Sequence, residues 1–205
     1  MIDNEERKDI MYDAQCAIIN QVALDEDFDI YQVSEFDKIK LLIALYQTNV
    51  VKNDITFTCK ECGTENKYKI DFTETLAKLD DISLEDQEFD FETVSWKFKF
   101  TVGYPFVNRV SNFYKSYALK YRKADKKEKD SMNNMINLDY INMYIKRVVL
   151  TNKTTGEVTD LNLLDFTPSE VNDIMSTFPQ DVLYAQDGIM QYISKDFIGK
   201  INSTF

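Results

Sequence analysis

The strongest constraint in this chain is an alternation. Val94, Trp96, Phe98, Phe100 and Val102 are apolar, and Ser95, Lys97, Lys99 and Thr101 lie between them. Successive side chains of an extended chain point to opposite faces, so the spacing predicts a β-strand with one face built for burial. Such a face needs a cover, and the apolar stripes on either side of it have helical periodicity. Ile10, Ala14, Ala17, Ile18, Gln21 and Val22 recur at three- and four-residue steps between residues 3 and 24. After a break at Asp25-Glu26-Asp27, Ser34 or Glu35 opens a second helix carrying Phe36, Ile39, Leu42, Ile43 and Tyr46.

Gly103-Tyr104-Pro105 closes the strand, and Pro105 fits the first turn of a helix striped by Phe106, Val110, Phe113, Tyr117 and Tyr121. A further helix is predicted over 131–147, with Met132, Ile136, Tyr140, Met143 and Tyr144 on its inner side. Residues 148–150 and 152–159 read as a short hairpin turning at Gly156. Thr167-Pro168-Ser169-Glu170 is a helix-start signature, and a last helix follows Phe178-Pro179. The expected fold class is α+β, predominantly helical with a small antiparallel sheet that includes a CxxC knuckle hairpin. It divides into an N-terminal helical segment 1–50, a β-rich segment 51–104 bearing the knuckle, and a C-terminal helical segment 105–205. With only five Gly and three Pro there is no seam for a mobile linker, so these segments are expected to form one compact unit.

Residues 54–72 hold the most chemistry. Two alternating runs, Ile55-Thr56-Phe57-Thr58 and Lys67-Tyr68-Lys69-Ile70, flank Cys59-Lys60-Glu61-Cys62-Gly63. They read as a β-hairpin with a thiol knuckle at its tip, where Gly63 can take a positive φ. Cys59 and Cys62 are the candidate metal ligands. Structural zinc takes four ligands, almost always Cys or His and commonly from two knuckles, whereas this chain shows one. Two readings stay open: zinc completed by Cys16 or by Asp or Glu side chains, stabilising the hairpin without catalysis, or a knuckle without metal. A redox role is disfavoured, because Cys59 follows a strand and not the helix N-terminus that lowers a thiol pKa.

Charge narrows the function classes. A formal net charge of −11 gives a poor footprint for nucleic acid and favours basic protein surfaces as partners. The chain has no histidine, which removes the usual general base and the Ser-His-Asp and Cys-His arrangements. No glycine-rich phosphate loop occurs either, so the expectation is a protein that is not an enzyme. There is no hydrophobic signal region after Met1 and no apolar run approaching about 18 residues, which points to a soluble protein of a reducing cytosol without membrane contact. Nine acids against one base over 71–92 read as a solvated face. Residues 120–129 reverse that balance with six bases and two acids. Lys126, Lys127 and Lys129 are therefore candidate docking residues for an acidic neighbour, the plain alternative being a solvated helix-to-helix connection. Toward the C-terminus Phe178, Val182, Leu183, Ile189, Met190, Ile193 and Phe197 put apolar groups on more than one side of the last helix. Val182, Ile189, Ile193 and Phe197 are expected to pack against another subunit.

The order of these signals resembles a known family. A helix before a strand, the CxxC hairpin, an acidic spacer, an alternating strand closed by Tyr104-Pro105 and a helical tail are similar to the baseplate hub proteins of T-even-type contractile-tailed bacteriophages. The recurring piece of that family is a sheet segment in which Cys59, Cys62, Gly63 and Asn66 occupy the marked positions, and residues 36–106 carry the likeness. The resemblance implies a non-enzymatic structural or assembly part in a baseplate hub, among other baseplate proteins of a multi-subunit assembly. It also implies a place in the virion tail, or in the host cytoplasm during assembly. This chain departs from the family in one respect: members often carry a second CxxC near the C-terminus, and no Cys follows Cys62 here. The alternative from a different class is a zinc-ribbon-type intracellular adaptor that binds a basic partner through the acidic segment.

Overall fold

The computed structural model describes residues 7–48, 54–69, 71–185 and 187–202. The alternating segment forms β4 (Trp96–Val102), with Phe98, Phe100 and Val102 buried and Lys97 and Lys99 exposed. It belongs to a four-stranded antiparallel meander in the order β3 (Gln87–Glu92), β4, β5 (Ile145–Asn152), β6 (Val158–Asn162). Val94 does not join the strand. It is 98% exposed, in a tight turn where Trp96 N–H donates to Thr93 Oγ1 at 3.1 Å and Thr93 N–H to Trp96 O at 2.8 Å.

The acidic run is more ordered than a solvated face. Its first part is α3 (Thr73–Asp80), whose Leu79 is fully buried. Its last part is β3, where Phe89 and Phe91 turn toward the core while Glu88, Asp90 and Glu92 face water. Those acids meet the lysines of β4, Lys99 reaching Glu88 at 2.7 Å and Lys97 reaching Glu92 at 3.3 Å. Beyond β5 the chain turns at Gly156, φ +72°, into β6, as the Gly in that position requires. The sheet thus draws strands from the middle of the chain and from the stretch after residue 105.

Two cores result. The apolar face of the sheet is covered by α2 (Glu35–Gln47) and by the C-terminal helices. Phe98 and Phe100 lie 5.5 and 6.2 Å from Phe178, and Tyr104 lies 4.9 Å from Phe36 and 5.2 Å from Phe197, ring centre to ring centre. The second core is helical, built from α1 (Lys8–Val22), α4 (Val107–Lys123) and α5 (Lys126–Asn142) around Tyr12, Cys16, Val110, Phe113 and Tyr117. α2 sits between them, Phe36 and Ile43 facing the sheet and Leu42 and Leu45 the helices. Ser34 caps α2 by accepting from Asp37 N–H at 3.0 Å.

A buried ionic cluster pins α1 to α2. Lys38 and Glu35 are 2% and 6% exposed, and their charged groups lie 3.2 Å apart. Tyr12 donates its hydroxyl to the other oxygen of Glu35, and the Lys38 ammonium sits 3.4 Å above the Tyr12 ring. Burial pushes the Glu35 carboxyl above its ordinary range, against the opposing pull of Lys38 and the Tyr12 hydroxyl.

Three expected boundaries shift. Pro105 lies outside the helix: Phe106 is the N-cap of α4, and Pro105 O accepts from Glu35 N–H at 2.8 Å. α5 starts at Lys126, because Asp125 and Glu128 form a capping box, and it ends at Asn142, because Ile145 pairs with Val102 in the sheet. The capping box at Thr167 and Glu170 does open α6 (Pro168–Ser176). The last helix is two pieces, α7 (Gln180–Tyr184) and a run from α8 (Ile189–Tyr192) through a π-helical stretch (Ile193–Ile198) into α9 (Gly199–Asn202).

The chain doubles back at Gly188, where an added Cβ would lie 2.6 Å from Leu183 O and 2.7 Å from Leu183 C. Gly188→Ala is expected to lower stability by about 1–3 kcal/mol, since rigid backbone has to move. A urea midpoint equal to wild type would show that the turn has slack. Glu35→Gln strands the buried Lys38 ammonium and is expected to cost about 3 kcal/mol, most of it recovered in Glu35→Gln/Lys38→Met. Equal midpoints for all three proteins would remove the cluster from the account of stability.

Candidate functional site

The strands flanking the CxxC form the expected hairpin. β1 (Asp54–Thr58) and β2 (Glu65–Lys69) pair antiparallel, with Thr58 opposite Glu65. Ile70, expected in the second strand, lies outside the described residues. Gly63 has φ +69°, its N–H donates to Cys59 O at 3.0 Å, and Cys59 N–H donates to Thr64 O at 2.9 Å. Cys62 is exposed and Cys59 half-buried. The Thr64 hydroxyl, 3.2 Å from Cys62 Sγ, holds that thiol below its ordinary value, with the Cys59 thiol contributing. Phe57 and Tyr68 stack on the hairpin at 5.7 Å, both of them largely exposed.

The donors within one chain do not fit a closed zinc site. Cys16 is fully buried in the helical core, where burial raises its pKa, and so cannot complete the set at the tip. Among the described residues no three Cys, His, Asp or Glu side chains converge on a point. A zinc ribbon needs two knuckles, so the adaptor reading gains nothing from this geometry.

The basic segment 120–129 spans the turn between α4 and α5. Lys120, Arg122 and Lys123 fall in the last turn of α4, where a cation complements the helix dipole. Arg122 also reaches both oxygens of Asp9, at 2.8 and 3.0 Å. Lys129 lies 4.7 Å above the Tyr121 ring and is partly buried, whereas Lys126 and Lys127 are exposed in the first turn of α5.

Val182, Ile189, Ile193 and Phe197, expected on a subunit interface, are at most 3% exposed and belong to the core under the sheet. Their excess over one helical face has a simple cause: short helices that double back are surrounded, and each side meets a different part of the same core. The unpartnered apolar surface is elsewhere. α1 turns Tyr12, Cys16 and Ile19 inward and leaves Ile10, Met11, Ile18 and Val22 between 39% and 62% exposed. Sequence periodicity had marked Ile10, Ala14, Ala17, Ile18 and Val22 as one stripe, but the stripe faces away from the core. No Asp, Glu, Lys or Arg occurs from residue 14 to residue 24, and that charge gap was the sign of an exposed apolar face that the sequence offered.

A groove of about 390 Å³ runs between α4, α5 and the start of α6, floored by Phe113, Tyr117, Met132 and Ile136. Lys120 and Asp139 stand at its rim, and burial pushes the Asp139 carboxyl above its ordinary range. The groove brings together no pair of carboxylates. Among the described residues no helix is long and apolar enough to cross a membrane.

The described surfaces thus include a thiol-tipped hairpin, a basic helix start and an apolar helix face. No curated protein and no solved structure matches the chain. A family model described as T4 bacteriophage base plate protein does match, over residues 1–197, and that span includes each of these surfaces, the helical core and all of the sheet core but its last residues, Ile198 and Ile201. On that match the chain belongs to the T4 bacteriophage base plate protein family.

Proposed function

We propose that the protein is a structural or assembly component of the hub region of a contractile-tail baseplate, acting through protein–protein contacts and without catalysis. It works in the virion tail or in the host cytoplasm while the tail is assembled. The observation that carries this reading is the outward face of α1. Ile10, Met11, Ile18 and Val22 form an apolar stripe, its C-terminal part in the charge-free stretch 14–24, on a helix whose other side is already packed. Ala14 and Ala17 lie between the larger groups, so a partner helix can approach the backbone closely there. Burial at roughly 25 cal/mol per Å² makes such a face a source of association energy.

Ile10→Asp with Ile18→Asp is expected to weaken association with the other baseplate proteins of the same phage by at least about tenfold, roughly 1.4 kcal/mol. The melting temperature should stay near wild type, because both side chains already face water. Pull-down from cells co-expressing those proteins reads the outcome, and wild-type recovery of the double variant would end the α1 assignment.

The basic helix start is the second contact in this proposal, with Lys126 and Lys127 facing an acidic neighbour and Lys129 held in place over Tyr121. Lys126→Glu/Lys127→Glu should slow association and flatten its dependence on salt, since rim charges act mainly on the encounter rate. Association rates that match wild type at low and at high salt would leave these lysines as solvated helix residues.

A further inference from the structure

We propose that the CxxC hairpin is one half of a zinc site, completed by the same hairpin of a second copy of this chain to give one tetrahedral Cys₄ centre per dimer. Structural zinc is bound by four ligands, almost always Cys or His. The chain has three Cys and no His. Cys16 is sealed in the helical core, and among the described residues no third donor converges on the hairpin tip. The tip therefore offers two thiols, half of a Cys₄ set, and the other half has to come from a different molecule.

Three observations favour a second copy as that molecule. The first is geometric. Cys59 and Cys62 are within reach of each other on a turn fixed by Gly63, and a two-fold axis through the metal would bring in an identical pair. The second is charge. Two copies of a chain carrying −11 repel over most of their surfaces, but the hairpin 54–69 holds Lys60, Lys67 and Lys69 against Asp54, Glu61 and Glu65. Each hairpin is thus neutral in its Lys, Asp and Glu, a part of the surface where two copies can approach without the net repulsion of the rest. The third is the stacked pair Phe57 and Tyr68 beside the tip, whose exposed rings a facing hairpin would cover. Among the described residues β1 and β2 pair only with each other, which leaves their outer edges without a strand as well.

The test uses the full-length chain, kept reduced with a phosphine and titrated with zinc chloride, and reads mass by native mass spectrometry and by sedimentation. The expected result is one zinc per two chains and a dimer that chelation returns to monomer. Cobalt(II) in place of zinc should show the visible bands and the thiolate charge-transfer absorption of a tetrahedral S₄ site. Cys59→Ser and Cys62→Ser should each abolish the metal-dependent dimer with the circular dichroism spectrum unchanged, since both lie at the tip and outside the two cores. One zinc per monomer, no zinc above background, or a dimer that survives chelation would each overturn the proposal. So would zinc retained only when another baseplate protein is present, which would assign the second cysteine pair to that protein.

Discussion

Two short hydrogen bonds set where everything else can go. Glu35 N–H donates to Pro105 O at 2.8 Å and Val107 N–H to Val33 O at 2.9 Å, an isolated antiparallel bridge between segments about 70 residues apart in sequence. The bridge joins the start of α2 to the start of α4. With those origins fixed, α2 has to run between the sheet and the helical group, and each of its apolar sides finds a different core. Tyr104, just before the bridge, packs on Phe36, just after it, so the backbone link and the aromatic contact reinforce each other. Loop closure over such a separation is an entropic cost that the two cores together offset.

The outer face of the sheet shows where an acidic protein places its bases. Lys97, Lys99, Arg147 and Lys153 lie on β4, β5 and the turn after it, and they meet Glu92, Glu88, Asp160 and Glu92 respectively. Each pair is solvent-exposed and contributes at most about 1 kcal/mol. Their larger effect is on pairing: a slip of one residue would place Lys97 and Lys99 in the core and Phe98 and Phe100 in water. Cationic side chains committed in this way are not available to the rest of the surface. That makes the exposed Lys126 and Lys127 conspicuous.

Much of the fold was legible because period and turn chemistry agreed. β4, the hairpin at Gly63, the turn at Gly156 and the cap at Thr167 each carry a local signal strong enough to survive tertiary packing. β3 was hidden by its own charge: Gln87, Phe89 and Phe91 alternate properly, but Glu88, Asp90 and Glu92 made the segment read as a solvated run. α1 was placed with its faces reversed. It carries two candidate stripes, and only the position of α4, with Ser111 and Lys115 reaching Asp13, decides which one is buried. The C-terminal run failed for a related reason: a helix wheel drawn through Gly188 and across a π-helical stretch mixes segments that point in different directions. Ile189, Ile193, Phe197 and Ile201 are each four residues apart, a spacing that drifts around a regular α-helix, and the wider turn at Ile193–Ile198 counteracts that drift, so that all four reach the core. Residue types left the metal reading open, because a single CxxC supplies two of the four ligands that structural zinc takes.

The stacked rings and exposed turn of the hairpin also bear on how the chain opens. A lone two-stranded hairpin is marginally stable in water, and this one rests chiefly on its own ladder and on the Phe57–Tyr68 stack. It can therefore open on a lower free-energy scale than either core. Anything that grips the tip must also hold it still, so part of the free energy of a contact there goes into ordering the hairpin. A ligand at the tip would therefore steady this element first and leave the opening of the two cores almost unchanged.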